Sequence, residues 1–261
     1  MSVAPAFFCT PCRNCITGRP NVCLECKIFG IQTEGALAEY MVDPARNLVR
    51  LPEEMPFEVG AIITDVVATP FQAMSEQAAL EAGETVAVFG VGGLGLHAVQ
   101  ISRLLGTQKI IVVDPRQAQL ERAAQMGGSG HRPARDAAGR GHSGGYRGLG
   151  VDVTAEFVGL QETLSQCVES VVRGGRVVVV GLGADPIHIF PPTVFVRDEI
   201  SLLGSYGFTK RDIEQLVGLT ASGRLNLESS ITHTFPLDEV NTALKYLHEK
   251  IENPTRVAVK L

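Results

Sequence analysis

Apolar residues in this chain fall into short uninterrupted runs, separated by stretches in which they recur every three or four positions. Glu84–Phe89 (ETVAVF), Lys109–Val113 (KIIVV), Val151–Phe157, Arg176–Val180 and Ile200–Leu203 each read as a strand apolar on both faces. Strands of that kind belong to a parallel sheet covered on either side by helices. The intervening stretches His97–Leu105, Gln117–Met126 and Glu162–Val172 carry helical spacing. This alternation predicts an α/β chain with a doubly wound parallel sheet. Residues 1–52 differ: Cys, Pro and Gly are frequent, and only short pieces such as Leu37–Val42 and Asn47–Leu51 look strand-like, which suits a loop-rich, partly β lobe. A helical pattern then runs from Phe57 towards Gln77, interrupted at Pro70. The tail predicts helices over Lys210–Ser222 and Leu237–Glu249 and a last strand over Arg256–Leu261, and no internal repeat is evident.

The pattern fails in one place. Over residues 127–148 (GGSGHRPARDAAGRGHSGGYRG), Gly, Arg and His crowd out the apolar positions expected of a third strand and helix. A reading-frame excursion is one explanation, since codons for HRPARD read one base along can spell IDPRD; a genuine flexible Gly/Arg loop is the other.

A length of 261 residues and 45% apolar content support a core divided between two lobes. The net charge of -5 argues against a polyanion-binding surface, so nucleic acid is not an expected partner. The opening residues have neither a basic n-region nor a long apolar h-region, and no stretch reaches an uninterrupted apolar twenty. A cytoplasmic protein without a membrane partner is expected, and in a reducing compartment six cysteines point to metal ligands or buried thiols rather than disulfides.

Cys9, Cys12, Cys15 and Cys23 form C-x2-C-x2-C-x7-C, a spacing that lets one tight loop wrap four thiolates around a tetrahedral ion. Zinc is the favoured metal. An iron–sulfur cluster usually takes a shorter last interval followed by Cys-Pro, whereas Leu24 follows Cys23 here; four uncoordinated thiols are the remaining alternative. Four thiolates would leave no open position for substrate, so such a zinc is structural. Cys26 and Cys167 read as spare or buried thiols.

Gly90, Gly92 and Gly95, with Gly93 and Leu94 between them, give G-x-G-x-x-G directly after a buried strand and at the start of a helix. Without side chains the turn is tight and a pyrophosphate can approach the helix N-terminus. Asp114 ends the next strand, nineteen residues after Gly95, where a carboxylate accepts the adenosine ribose hydroxyls and repels the 2'-phosphate of NADP. NAD is therefore the expected cofactor. Arg116 complicates that preference, because a nearby cation accommodates the same phosphate.

With these residues in view, the chain resembles the zinc-containing medium-chain alcohol dehydrogenase family. CTPCRNCITGRPNVC resembles its structural-zinc lobe and VAVFGVGGLGLHAVQ its cofactor turn, while DVVATPFQA, VDVTAEFVG, GGRVVVVGLG, EISLLGSYGF and NPTRVAVKL follow in family order. The resemblance implies a Rossmann domain over residues 65–207, a partial GroES-like catalytic domain with the zinc loop over 1–64, and a segment over 208–261 returning to the catalytic domain. It further implies that Val158, Val180, Leu182 and Ser205 lie near the nicotinamide half and that Arg256 approaches the pyrophosphate. In the family a second zinc polarises the alcohol. By resemblance its first two ligands belong to a portion preceding the cysteine loop, which this chain begins too late to contain; the third falls at Asp65, with Thr69 packing towards the nicotinamide. Asp65 reads equally as a zinc ligand or as a helix-terminus carboxylate.

The leading expectation is an oxidoreductase exchanging hydride between NAD and a small alcohol or carbonyl, assembled as a homodimer or homotetramer. A catalytic zinc would be held only if its missing ligands were supplied, which leaves turnover by this chain open. The alternatives are a non-catalytic zinc-stabilised NAD-binding or oligomerisation module, and a zinc-free NADPH quinone reductase of the same fold, the latter disfavoured by the four cysteines and Asp114.

Overall fold

Short paired segments open the chain in a computed structural model that describes residues 1–131, 150–188 and 191–261. Strand β1 (Ser2–Val3) pairs antiparallel with β4 (Leu48–Val49), and β2 (Ala6–Phe7) pairs antiparallel with β3 (Lys27–Ile28). The cysteine loop hangs between β2 and β3 and carries a single helical turn, α1 (Arg13–Ile16). Phe7 and Phe29 close its base with ring centroids 4.6 Å apart. The strand expected over Leu37–Val42 does not form. No neighbouring segment among the described residues pairs with it, and Leu37, Tyr40 and Val42 stand exposed. An apolar–polar alternation is no more than a capacity for strand until a ladder partner satisfies it.

The helical passage after Pro56 also differs from the expectation. Helix α2 (Phe57–Ile62) ends in a kink at Thr64 (ψ 130°) and Asp65 (φ 66°, ψ -63°), and helical structure resumes as α3 (Ala68–Phe71). The break thus lies before Pro70 rather than at it. Wide turns over Ile63–Val67 and Gln72–Gln77 flank the proline, which relaxes a helix that has lost one donor. Asp65 sits near the γ-turn geometry, a conformation that costs a non-glycine residue about 1–3 kcal/mol.

Contacts divide the chain into two units, one of residues 1–68 with 207–261 and the other of residues 69–206. The second unit is a six-stranded sheet. Its strands are β5 (Thr85–Phe89), β6 (Lys109–Val113), β7 (Ser129–His131), β8 (Val151–Glu156), β9 (Val171–Val179) and β10 (Ser201–Gly204). They lie in the order β10-β9-β8-β5-β6-β7, and every pairing is parallel. In chain order this is 6-5-4-1-2-3, the order of a Rossmann sheet. Helices α4 (Gly93–Leu104) and α5 (Gln117–Gln125) follow β5 and β6, α6 (Gln161–Ser170) follows β8, and α7 (Pro192–Asp198) precedes β10. All five residues of β5 are buried, and Ala87, Phe89, Val113, Val151, Leu164, Cys167, Val168 and Val177 form one apolar cluster with α6. Helix α6 stops at Ser170 and β9 begins at Val171, five residues before the expected strand start, because Gly174 and Gly175 are carried within the strand.

The third strand, absent from the apolar pattern, is present as β7. Neighbours leave little room here: a Cβ on Gly130 within the strand would stand 3.2 Å from Leu120 Cβ, and one on Gly128 just before it 2.9 Å from Val112 Cγ1. Residues 132–149, which include most of the segment for which a reading-frame excursion was considered, lie outside the described residues.

The tail completes the first unit. Helix α8 (Lys210–Ala221) begins with a capping box between Thr209 and Asp212 and buries Ile213 and Leu216. Strand β11 (Ile231–Pro236), not foreseen in a run of Thr and His, pairs parallel with β12 (Arg256–Lys260), and α9 (Val240–Glu249) packs on both through Phe235 and Tyr246. Among the described residues no helix is long and apolar enough to cross a membrane.

Candidate functional site: a glycine cradle and a four-cysteine cluster

At the carboxyl end of β5 the chain turns on Gly90 (φ +83°), whose N–H donates to Val113 O at 2.8 Å. Gly92 is the N-cap of α4 and Gly93 its first residue, followed by Leu94 and Gly95. A Cβ on Gly95 would lie 2.0 Å from Gly90 O, so only glycine lets the helix settle onto the strand end. The free N–H groups of the first helical turn therefore face an uncluttered cradle, as an anionic group requires.

Two more turns press against this one. Gly159 after β8 (φ +85°) meets Gly181 and Gly183 after β9: a Cβ on Gly181 would stand 2.2 Å from Gly159 N, and one on Gly183 2.1 Å from Gly159 O. A Cβ on Gly90 would meet Val158 Cγ2 at 2.4 Å. The buried carboxylate of Glu156 holds the β8 turn, accepting from Val158 N at 2.8 Å, Gly159 N at 2.9 Å and Thr163 Oγ1 at 2.6 Å. Sequence reasoning missed Glu156, Gly159, Gly181 and Gly183 as parts of the site, although EFVG and GLG carry them. The crevice lies between β5 and β8, where the strand order reverses, the position at which open α/β sheets bind ligands.

Val158, Val180 and Ser205 sit at or just beyond the carboxyl ends of β8, β9 and β10, and Leu182 is exposed in the turn after β9. Ser205 Oγ is buried without a hydrogen-bond partner among the described residues, an orphan hydroxyl such as a bound ligand would satisfy. Asp114 ends β6 almost wholly buried. Its Oδ2 accepts from Val91 N at 3.1 Å and its Oδ1 from Arg116 N at 2.9 Å, while the Arg116 guanidinium forks onto both oxygens at 3.0 Å.

In the first unit the four cysteine sulfurs lie within 4.8 Å of one another. Individual Sγ···Sγ separations are 3.5 Å (Cys12–Cys15), 3.9 Å (Cys12–Cys23) and 3.5 Å (Cys9–Cys23). Zinc–sulfur bonds of about 2.3 Å in a tetrahedron put sulfurs about 3.8 Å apart, so the loop fits zinc. Backbone N–H groups of Cys9 and Glu25 point at Cys23 Sγ at 3.3 and 3.4 Å, the donors a metal thiolate takes. Backbone N–H groups of Cys15 and Leu24 hold the pKa of Cys12 down to about 6, whereas burial and the neighbouring sulfurs push that of Cys15 up to about 12. Among the described residues these four are the group of three or more His, Cys, Asp or Glu placed to hold an ion, and Asp65 is not part of it. Asp65 instead acts electrostatically on Arg256, whose largely buried guanidinium is shifted below its usual pKa by desolvation. Thr69 is buried at the start of the second unit.

Two family models match. Residues 1–53 match the alcohol dehydrogenase GroES-like domain and residues 93–222 match the zinc-binding dehydrogenase domain. An L-threonine 3-dehydrogenase from Pyrococcus horikoshii is 30% identical over 247 residues, covering 90% of this chain and 67% of that protein. A probable D-xylulose reductase A from Aspergillus terreus is 28% identical over 251 residues, covering 94% of this chain and 70% of that protein. The structure of alcohol dehydrogenase TADH from Thermus sp. ATN1 superposes with a TM-score of 0.91 at 27% identity, over 99% of this chain and 76% of that one. The chain thus spans about two thirds of the length of the curated relatives it matches. With a relative 30% identical over 90% of this chain and two family models matched, the chain belongs to the zinc-type medium-chain dehydrogenase/reductase family of oxidoreductases.

Proposed function

We propose that the chain transfers hydride between an alcohol and a nicotinamide dinucleotide, with NAD in the crevice between β5 and β8. The observation that carries this reading is the contact of Gly95 with Gly90 at the strand-order switch, with Asp114 at the end of β6. Gly90, Gly92, Gly93, Leu94 and Gly95 would hold the pyrophosphate and Asp114 the adenosine ribose. Val158, Val180 and Leu182 would wall the nicotinamide half, with Ser205 Oγ offering it a hydrogen bond. In this reading Thr69 packs towards the nicotinamide. The bound cofactor supplies the hydride chemistry; the apolar walls exclude water from it.

The substrate class follows the relatives, which are named for an alcohol, L-threonine and D-xylulose: a small hydroxy compound and its carbonyl. Cys9, Cys12, Cys15 and Cys23 hold a structural zinc in this reading. A catalytic zinc does not fit the described residues, because no group of three or more donors among them includes Asp65. That same observation favours a second reading, a zinc-stabilised dinucleotide-binding module without turnover. The protein is proposed to work in the cytoplasm as a homodimer or homotetramer, with the open edge of β10 as a natural pairing surface.

Metal content and NADH binding on the purified chain, followed by alcohol-dependent NADH formation, separate these readings. NADH binding with alcohol-dependent turnover supports the enzyme. One zinc with NADH binding and no turnover supports the module, and absence of NADH binding overturns both.

A further inference from the structure

The adenosine end of the cradle carries a feature that the motif alone does not have. A carboxylate at the end of the second strand ordinarily faces the cofactor with free oxygens, which accept the ribose hydroxyls and repel a 2'-phosphate. Here both oxygens of Asp114 are already taken. The Arg116 guanidinium forks onto them at 3.0 Å through Nε and Nη2, and the backbone N–H groups of Val91 and Arg116 bind them from the protein side. Asp114 is 2% exposed and Arg116 is 40% exposed, so the group presented outward at this point is the cation. Its Nη2 lies 3.9 Å from where a Cβ on Gly92 would stand, which places the guanidinium beside the glycine turn itself.

From this arrangement we infer that the pocket accepts NADP as well as NAD, with Arg116 as the specificity-determining residue. The inference rests on the dinucleotide reading above. Paired with Arg116, Asp114 presents little net negative charge to a 2'-phosphate. When NADP binds, the guanidinium turns its planar donor fork from the carboxylate to the phosphate, geometry that arginine matches bidentately. Asp114 is not abandoned by that movement. It keeps the N–H groups of Val91 and Arg116, one on each oxygen, so the buried carboxylate stays satisfied. When NAD binds, the guanidinium swings aside and the ribose hydroxyls take the two acceptor sites it leaves on Asp114, one on each oxygen.

The test is a fluorescence titration of the full chain with NADH and with NADPH, repeated on Arg116→Gln. The expected result is NADPH affinity within about tenfold of NADH in the wild type, and a loss of about tenfold or more for NADPH in R116Q with NADH changed by less than about threefold. The NADPH affinity should also fall more steeply with added salt, since it contains the extra ion pair. If neither nucleotide binds, the dinucleotide reading fails and this inference with it. If NADH binds but NADPH binds more than about tenfold more weakly, the inference alone is overturned. Equal losses for both nucleotides in R116Q would assign Arg116 a merely structural role and also overturn it.

Discussion

In β5 five consecutive residues are buried, whereas β2 and β3, which frame the cysteine loop, have two residues each and none of the four is buried. The sheet unit orders its turns with apolar cluster and parallel ladder, and its glycine cradle is a by-product of strands that end together. The cysteine loop has no such support. Its four sulfurs converge without an apolar core around them, so the cohesion there must come from the ion they are shaped to hold. One region is held by area removed from water and the other by a few strong bonds.

The largest effect that separates the two regions should come from metal removal. Structural zinc contributes an apparent 10–16 kcal/mol, order of magnitude, in small zinc domains. Stripping the metal with a strong chelator, or Cys12→Ser, is expected to abolish hydrogen-exchange protection through residues 9–26 while β5, β6 and β8 stay protected. Loss of protection in both regions together would break the comparison. Next in size is Leu96→Ala in α4, a fully buried side chain whose truncation should cost about 2–5 kcal/mol and lower the melting temperature of the sheet unit without releasing zinc. Thr209→Ala removes the hydroxyl half of the α8 capping box and should cost about 1 kcal/mol, read by chemical denaturation. Smallest is Lys260→Met, which removes the partner of Glu58 on a half-exposed surface; a change above about 1 kcal/mol would contradict the low worth of such pairs.

The same contrast explains what was legible beforehand. Strands β5, β6 and β8 are readable because burial in the middle of the sheet favours closely spaced apolar residues, β10 from its pair of leucines although none of its residues is buried, and the four cysteines because tetrahedral ligation imposes a spacing. Strand β7 escapes notice because close approach to Val112 and Leu120 selects glycine, which has no hydropathy to read. Leu37–Val42 misleads in the opposite sense, with strand alternation but no ladder. The kink at Asp65 is invisible because a strained φ in a non-glycine residue leaves no signature in residue type, while Pro70 draws attention to itself. Gly90, Gly92, Gly95 and Asp114 are legible from a local motif. The glycines after β8 and β9 are not, since their reason for being glycine is a contact between turns distant in sequence.

The central claim is that the β5 turn is a dinucleotide cradle and that Gly95 is glycine because Gly90 O occupies the space of its Cβ. The most direct test is an NADH titration of the wild type beside Gly95→Ala, with melting temperatures recorded for both. The account predicts one saturable site per chain in the wild type, and in G95A a folded protein whose NADH affinity falls by about tenfold or more. No saturable binding by the wild type, or undiminished affinity in G95A, would contradict it.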